Sequence, residues 1–262
     1  MSIDIGNLFA IKGKTAVVTG GSRGIGHMIA EGFVRAGARV YICARKPEAC
    51  DAAAAELSQF GECISIPADL SSESGARAFA EAVAAREGRL HILVNNAGAA
   101  WGAPFDEFPD SGWDKVMNIN VKAIFNLTKF FLPLLRAAAT AADPARVINI
   151  GSVDGLVIPI SQNYSYSASK AAVHMLTRHS AHALVKDHIT VNAIAPGLFP
   201  SKMTSWLFDN AEAAETVSQE IPMGRHGEPE DIAGTAIFLS SRAGAYLTGT
   251  VIPVAGGIAT ID

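Results

Sequence analysis

Charge is scarce in this chain. Of its 262 residues only 18% are Asp, Glu, Lys or Arg, the net charge is −4, and no long run carries a single sign. A nucleic-acid binder needs a basic stripe or patch, so no nucleic-acid partner is expected. Cysteine is also rare. The three present, Cys43, Cys50 and Cys63, cannot all pair, and their spacing matches no zinc pattern. A sparse, odd set suits a reducing compartment, and Cys43, inside an apolar run, reads as a small core residue. No apolar window approaches the ~20 residues needed to cross a bilayer. The opening stretch M-S-I-D-I-G-N-L-F-A-I-K-G-K carries an acid where a secretory leader has basic charge, and it lacks an apolar h-region. The expectation is a cytoplasmic protein with no membrane partner. His174, His179, His182 and His188 lack a carboxylate or cysteine at ligand spacing, so no metal is expected and they read as solvated or interface histidines.

What the chain does have is apolar residues, 49% of the total, enough for one sizeable core. Short β-rich runs lie at Thr15–Thr19, Arg39–Cys43, Cys63–Pro67, His91–Val94, Val147–Ile150, Thr190–Ile194 and Thr250–Val254. Ala-rich amphipathic stretches separate them, notably Cys50–Gln59, Gly75–Arg86, Trp113–Leu135 and Ser167–Val185. Strands that are apolar on both faces and alternate with helices predict an α/β fold, a doubly wound parallel sheet of seven strands flanked by helices. With no repeat, linker or compositional break, a single domain over 1–262 is the economical reading. Ala137–Asp143 reads as a surface excursion. Pro196–Gln219 is the longest stretch without strand signals, and so reads either as a substrate loop or lid (about 196–219) or as an ordinary surface helix.

The first strand runs into T-G-G-S-R-G-I-G, Thr19–Gly26, and then into a helical pattern. Glycines at 20, 24 and 26 permit a tight turn and close backbone approach, and the helix start offers free N–H groups to a pyrophosphate. This strand–loop–helix context is what a dinucleotide fingerprint requires. At the end of the second strand Ala44 stands where an acid would grip an unmodified ribose, followed by Arg45 and Lys46; Arg23 lies in the glycine loop. Guanidinium groups bind a 2′-phosphate that an acid would repel, so NADP(H) is favoured over NAD(H). Asp69, after the third strand, either meets the adenine edge or caps the next helix.

N-Y-S-Y-S-A-S-K, residues 163–170, holds two tyrosines before one lysine. Tyr166 and Lys170 are four apart and share a helix face, whereas Tyr164 and Lys170, six apart, do not. In order along the chain, T-G-G-S-R-G-I-G, N-N-A-G (Asn95–Gly98), Ser152 after a strand, Y-S-A-S-K and A-P-G (Ala195–Gly197) resemble the short-chain dehydrogenases/reductases, from about Gly13 to Gly257. The resemblance implies a Rossmann-type sheet and hydride exchange between NADP(H) and a ketone or secondary alcohol. It implies a tetrad in which Tyr166 is acid or base, Lys170 lowers its pKa and bonds the nicotinamide ribose, and Ser152 holds the substrate oxygen. Asn120, preferred over Asn118, holds a water that links Lys170 to solvent. It assigns cofactor contacts to Gly20, Ser22, Arg23, Gly24, Ile25, Gly26, Arg45, Asp69, Leu70, Asn96, Ala97, Gly98, Pro196, Gly197 and Ser201, with Tyr166 and Lys170. It also implies a homotetramer.

Three departures stand out: fourteen residues from Ser152 to Tyr166, Asp154 where a small apolar residue is usual, and A-G-G (Ala255–Gly257) for D-G-G. The sequence looks most like the 3-oxoacyl thioester reductases, including members linked to rhamnolipid synthesis. Asp143 and Asp187 nevertheless weaken the basic mouth that an acidic carrier protein wants, so general ketone/alcohol chemistry ranks first and 3-oxoacyl thioester reduction second. Trp101, Phe105, Leu156, Val157, Ile158, Leu198, Phe199, Trp206 and Leu207 predict an apolar pocket suited to a lipophilic substrate. A non-catalytic NADP(H)-binding regulator is a third reading, disfavoured because the whole tetrad is present.

Overall fold

The computed structural model describes residues 4–159, 161–201 and 219–261. Seven parallel strands form one sheet, β1 (Thr15–Thr19), β2 (Arg39–Cys43), β3 (Cys63–Ser65), β4 (Ile92–Asn95), β5 (Ala145–Ile150), β6 (Ile189–Pro196) and β7 (Val251–Val254). Their spatial order is β3-β2-β1-β4-β5-β6-β7, the doubly wound order the sequence predicts. Direction reverses between β1 and β4, which opens a crevice at the carboxyl ends of these strands.

Period-two alternation divides the strand side chains between two cores. Val18, Ile42, Val94, Ile148 and Ile194 face one side and pack on α2 (Gly24–Arg35), α3 (Pro47–Leu57) and α8 (Pro229–Ser240). Val17, Tyr41, Leu93, Val147 and Val191 face the other, against α4 (Glu73–Ala84), α6 (Ala123–Ala138) and α7 (Tyr164–Leu184). Because both faces are covered, the strands read as unbroken apolar runs. The short helices α1 (Ile5–Leu8) and α5 (Asp110–Met117) complete the set.

Two helical features go beyond the sequence reading. The run Trp113–Leu135 is helical throughout, but a π-helical turn, Asn118–Lys122, stands between α5 and α6 and carries Asn120 into the interior at 1% exposure. The sequence reading also passed over α8. Its start is marked by Pro229 in the first turn and by a reciprocal capping box between Glu228 and Asp231, and its apolar run lies on Gly32 of α2. A β-carbon on Gly32 would come within 2.7 Å of the Ala233 methyl, so the glycine sets how closely the two helices approach.

All three cysteines are free and buried, as their composition suggested. Desolvation pushes the Cys43 and Cys63 thiols up to about 12, which keeps them protonated and unreactive. Among the described residues no helix is long and apolar enough to cross a membrane.

Candidate active site

The glycine loop crosses the crevice end of β1. Gly20 and Gly24 take left-handed backbone angles, φ +68° and +56°, which side chains other than glycine adopt only with strain. At Gly26 the constraint is steric: a β-carbon there would collide with the Gly20 carbonyl and the Asn96 amide. Asn96 holds the loop from below, its Nδ2 donating to the Thr19 carbonyl at 2.8 Å. The Thr19 hydroxyl accepts from the backbone N–H groups of Asn96 and Ala97, at 2.9 and 3.0 Å. The loop therefore stands as a bare backbone cradle at the start of α2, where four N–H groups have no helical partner. Gly98 closes on the Asn120 side chain, and Ser201 lies beside Gly24 across the crevice. At the far side Gly197, which follows Pro196 at the end of β6, donates to Val254, and its missing side chain makes room for Ala255. Ser22 and Ile25 occupy the cradle's loop and first helical turn.

The basic residues expected to choose the cofactor lie at the rim. Arg23 and Arg45 are exposed, and among the described residues neither has a carboxylate within ion-pair distance. Lys46 precedes α3 as its cap residue. Asp69 does not cap α4, where Ser72 accepts from the Gly75 N–H. Its carboxylate accepts from the backbone and side chain of Ser71, and these bonds, with help from Arg45, hold its pKa below the usual range. Leu70 is buried in the core, so only its backbone can face a ligand.

Three side chains meet where β5 ends and α7 begins. Ser152 follows β5 and is 7% exposed; Lys170 is 5% exposed, and its Nζ donates to the Ile150 carbonyl at 2.8 Å. That ammonium lies 5.4 Å from the centre of the Tyr166 ring, one helical turn back, as the four-residue spacing requires. The Ser152 hydroxyl lies near enough to the Tyr166 phenol to favour its ionised form. Desolvation raises the Tyr166 phenol to about 12; Ser152 opposes the rise and the Asp154 charge adds to it. Desolvation lowers Lys170 to about 8, with Asp154 opposing. Burial thus drives both groups toward their neutral forms.

Asn120 sits behind this pair. It exchanges hydrogen bonds with the Ala99 backbone (2.9 and 3.0 Å) and donates to Ser169 Oγ at 2.9 Å. Its side-chain N–H groups are therefore spent on a strut between the β4 loop and α7. Asn95 and Asn149 extend the strut system by bridging β4 and β5 at 2.9 Å, and Asn149 goes on to Thr177 of α7 at 2.9 Å.

Residues 20–259 match a family model described as enoyl-(acyl carrier protein) reductase. The rhamnolipids biosynthesis 3-oxoacyl-[acyl-carrier-protein] reductase of Pseudomonas aeruginosa is 55% identical over 95% of this chain and 97% of its own. The chain belongs to the short-chain dehydrogenase/reductase family. A solved Pseudomonas aeruginosa RhlG/NADP active-site complex superposes with a TM-score of 0.94, at 55% identity over 97% of this chain and 99% of that one. A gluconate 5-dehydrogenase of Burkholderia cenocepacia, solved with NADP and tartrate, gives 0.90 at 30% identity over 98% and 99%.

Tyr164, off the Lys170 face as the six-residue spacing predicts, is a packing residue: its ring meets Phe105 and Phe108 edge-on, at 5.3 and 5.8 Å between centroids. Within this short-chain dehydrogenase/reductase frame several other sequence expectations need revision. Phe199 is 2% exposed and packs with the core, and it also lines a cavity with Leu198, Ile221 and His226. Phe105 and Leu156–Ile158 are exposed, Trp101 lies over Gly112, and Trp206 and Leu207 fall outside the described residues, as does most of the expected lid. His174 is neither solvated nor at an interface. It is 4% exposed, fitted where side chains are missing at Gly151 and Gly155, and desolvation lowers its pKa. His179, His182 and His188 are exposed, and no metal-binding cluster occurs among the described residues.

The acids held against a carrier-protein substrate are also misplaced. Asp143 precedes β5 and Asp187 precedes β6, so both lie at the amino edge of a parallel sheet whose reactive groups follow the carboxyl ends. Asp143 is bound by Lys14 and Arg146, and Asp187 by Arg136. Neither lies at the active-site mouth.

Proposed function

We propose that this protein reduces the 3-oxo group of an acyl thioester to the hydroxyl, using NADPH. The observation that carries the reading is buried Ser152 and Lys170 at the end of β5, with the Lys170 ammonium 5.4 Å from the Tyr166 ring, so that two O–H groups can serve one substrate oxygen. The relative named for 3-oxoacyl reduction, at 55% identity, supports the thioester over general ketone chemistry. The reason for the opposite ranking, acidic residues at the mouth, fails on the position of Asp143 and Asp187. Carbonyl/alcohol chemistry with NADP(H) is common ground for both readings.

NADPH supplies the hydride. Gly20, Ser22, Gly24, Ile25 and Gly26 receive its pyrophosphate, Arg23 and Arg45 its 2′-phosphate, and Asp69 and Leu70 its adenine edge. Asn96, Ala97 and Gly98 flank its adenosine ribose; Pro196, Gly197 and Ser201 adjoin its nicotinamide. Ser152 donates to the substrate oxygen and steadies its developing negative charge. Tyr166 delivers the proton to that oxygen. Lys170 bonds the ribose, and its positive charge favours phenolate once the proton has left. Asn120 holds the loop and helix in register.

Loss of NADPH absorbance on a substrate panel tests the reading. Acetoacetyl thioester is expected to turn over with a higher kcat/KM than bulky aryl ketones or a diketone. Preference for the free ketones would restore the general carbonyl reading, reduction of crotonyl thioester would favour C=C chemistry, and no turnover would favour the regulator. Exchanging Arg45 for Asp is expected to weaken NADPH binding about tenfold or more while NADH binding holds, since one charge-assisted contact becomes a repulsion. An unchanged preference would show that Arg45 does not touch the phosphate. The assembly is proposed to be a homotetramer, and a monomeric mass by light scattering would contradict this.

A further inference from the structure

Asn163 occupies the cap position before α7, where an asparagine side chain ordinarily accepts a bond from the first turn. Here it caps nothing. Its Nδ2 instead donates to Asp154 Oδ2 at 2.9 Å, and its Oδ1 is buried without a partner among the described residues. An unpaired buried oxygen is costly, so this orientation serves the bond to Asp154.

That bond joins the surroundings of the two reactive hydroxyls. The Asp154 N–H donates to Ser152 Oγ at 3.1 Å. The Asn163 backbone carbonyl accepts from the Tyr166 N–H at 2.8 Å, and the Ser152 hydroxyl lies near enough to the Tyr166 phenol to favour its ionised form. Two residues outside the tetrad therefore connect the β5 loop to the start of α7 and bracket both reactive hydroxyls.

We propose that Asp154 and Asn163 form a positioning bridge that sets the separation and alignment of the Ser152 and Tyr166 hydroxyls. The bridge has a second effect through charge. The Asp154 carboxylate disfavours the Tyr166 phenolate and favours the Lys170 ammonium, so it raises both groups. The other titratable group beside Lys170 is His174, held neutral by burial. Asp154 is then the acid that tunes the pair. The inference rests on the reading of Tyr166 as acid or base.

The test uses the full chain with NADPH and acetoacetyl thioester, and the reverse reaction with the 3-hydroxy product. Asp154→Ala is expected to lower kcat about tenfold, because small misplacements of reacting groups are costly, with NADPH affinity within about twofold. Asn163→Ala, which removes no cap bond, should lower kcat similarly. The double variant should be no worse than either single one, as expected for one unit. Asp154→Asn keeps an oxygen to accept from Asn163 and should recover most of the loss. It removes the charge, so both Tyr166 and Lys170 fall and the whole pH profile moves down by about half a unit. Asn163→Ala keeps the charge and should not move the profile that way. Additive losses, an unshifted Asp154→Asn profile, or losses that follow the thermal midpoint alone would overturn the bridge. A Tyr166→Phe variant that still turned over would overturn the underlying reading and the bridge with it; a dead Tyr166→Phe beside unaffected Asp154 variants would overturn the bridge alone.

Discussion

Replacing Tyr166 by Phe is expected to lower kcat at least about a thousandfold, the upper range for losing a general acid, with NADPH affinity within about twofold. One oxygen is removed and the ring stays, so the packing under the Lys170 ammonium is retained. Stopped-flow turnover and fluorescence titration of NADPH measure the two quantities separately. Tyr164→Phe is the matched control. Its ring meets Phe105 and Phe108 edge-on, and the aromatic contacts do not need the hydroxyl, so a change in KM at most is expected. Reversal of the two outcomes would mean that the register of α7 has been misassigned.

Replacing Lys170 by Met should kill and stabilise the protein at once. Turnover is expected to fall about a hundredfold or more, since the charge that favours phenolate is gone. Stability moves the other way. Burial lowers Lys170 from its ordinary value of 10.5 to about 8, so at neutral pH the folded state carries a charged group it disfavours. The sign follows from proton counts. Between pH 8 and 10.5 the unfolded chain binds more protons at this residue than the folded one, so wild-type stability rises with pH across that window. Below it the full penalty is present. Removing the amine relieves that penalty and forfeits one bond to the Ile150 carbonyl, a net gain of roughly 1–3 kcal/mol. The thermal midpoint at pH 7 should rise by several degrees, and the difference from wild type should narrow as pH increases above 8. A lower midpoint at pH 7 would mean that the buried ammonium is compensated more fully than Asp154 and the Ile150 carbonyl allow. The prediction describes a residue kept for function against stability.

Much of the architecture was legible because its signals are local. Runs such as Thr15–Thr19 and Arg39–Cys43 coincide with β1 and β2 residue for residue, since strands covered on both faces need uninterrupted apolar sequence. The glycine loop was legible because left-handed angles and backbone collisions restrict Gly20, Gly24 and Gly26 to one residue type. The π turn was not, because one extra residue in a single turn shifts the apolar period too little to mark a break. The α8 helix was missed although its Pro229 start and Glu228–Asp231 box are sequence features.

The sequence by itself determined the order of the motifs, the one-turn separation of Tyr166 and Lys170, and the want of an acid at Ala44. Each follows from covalent spacing or residue type. Only the tertiary structure decided which distant groups share an environment. It placed Asp143 and Asp187 at the amino edge of the sheet, away from the reactive groups, because a parallel sheet sends every strand's start to one side. It spent the Asn120 side chain on Ala99 and Ser169, buried His174 between two glycines, and brought Asp154 to Asn163 across a loop. Such pairings depend on how helices and strands pack at ångström resolution, and hydrophobic pattern and helix period carry no record of that.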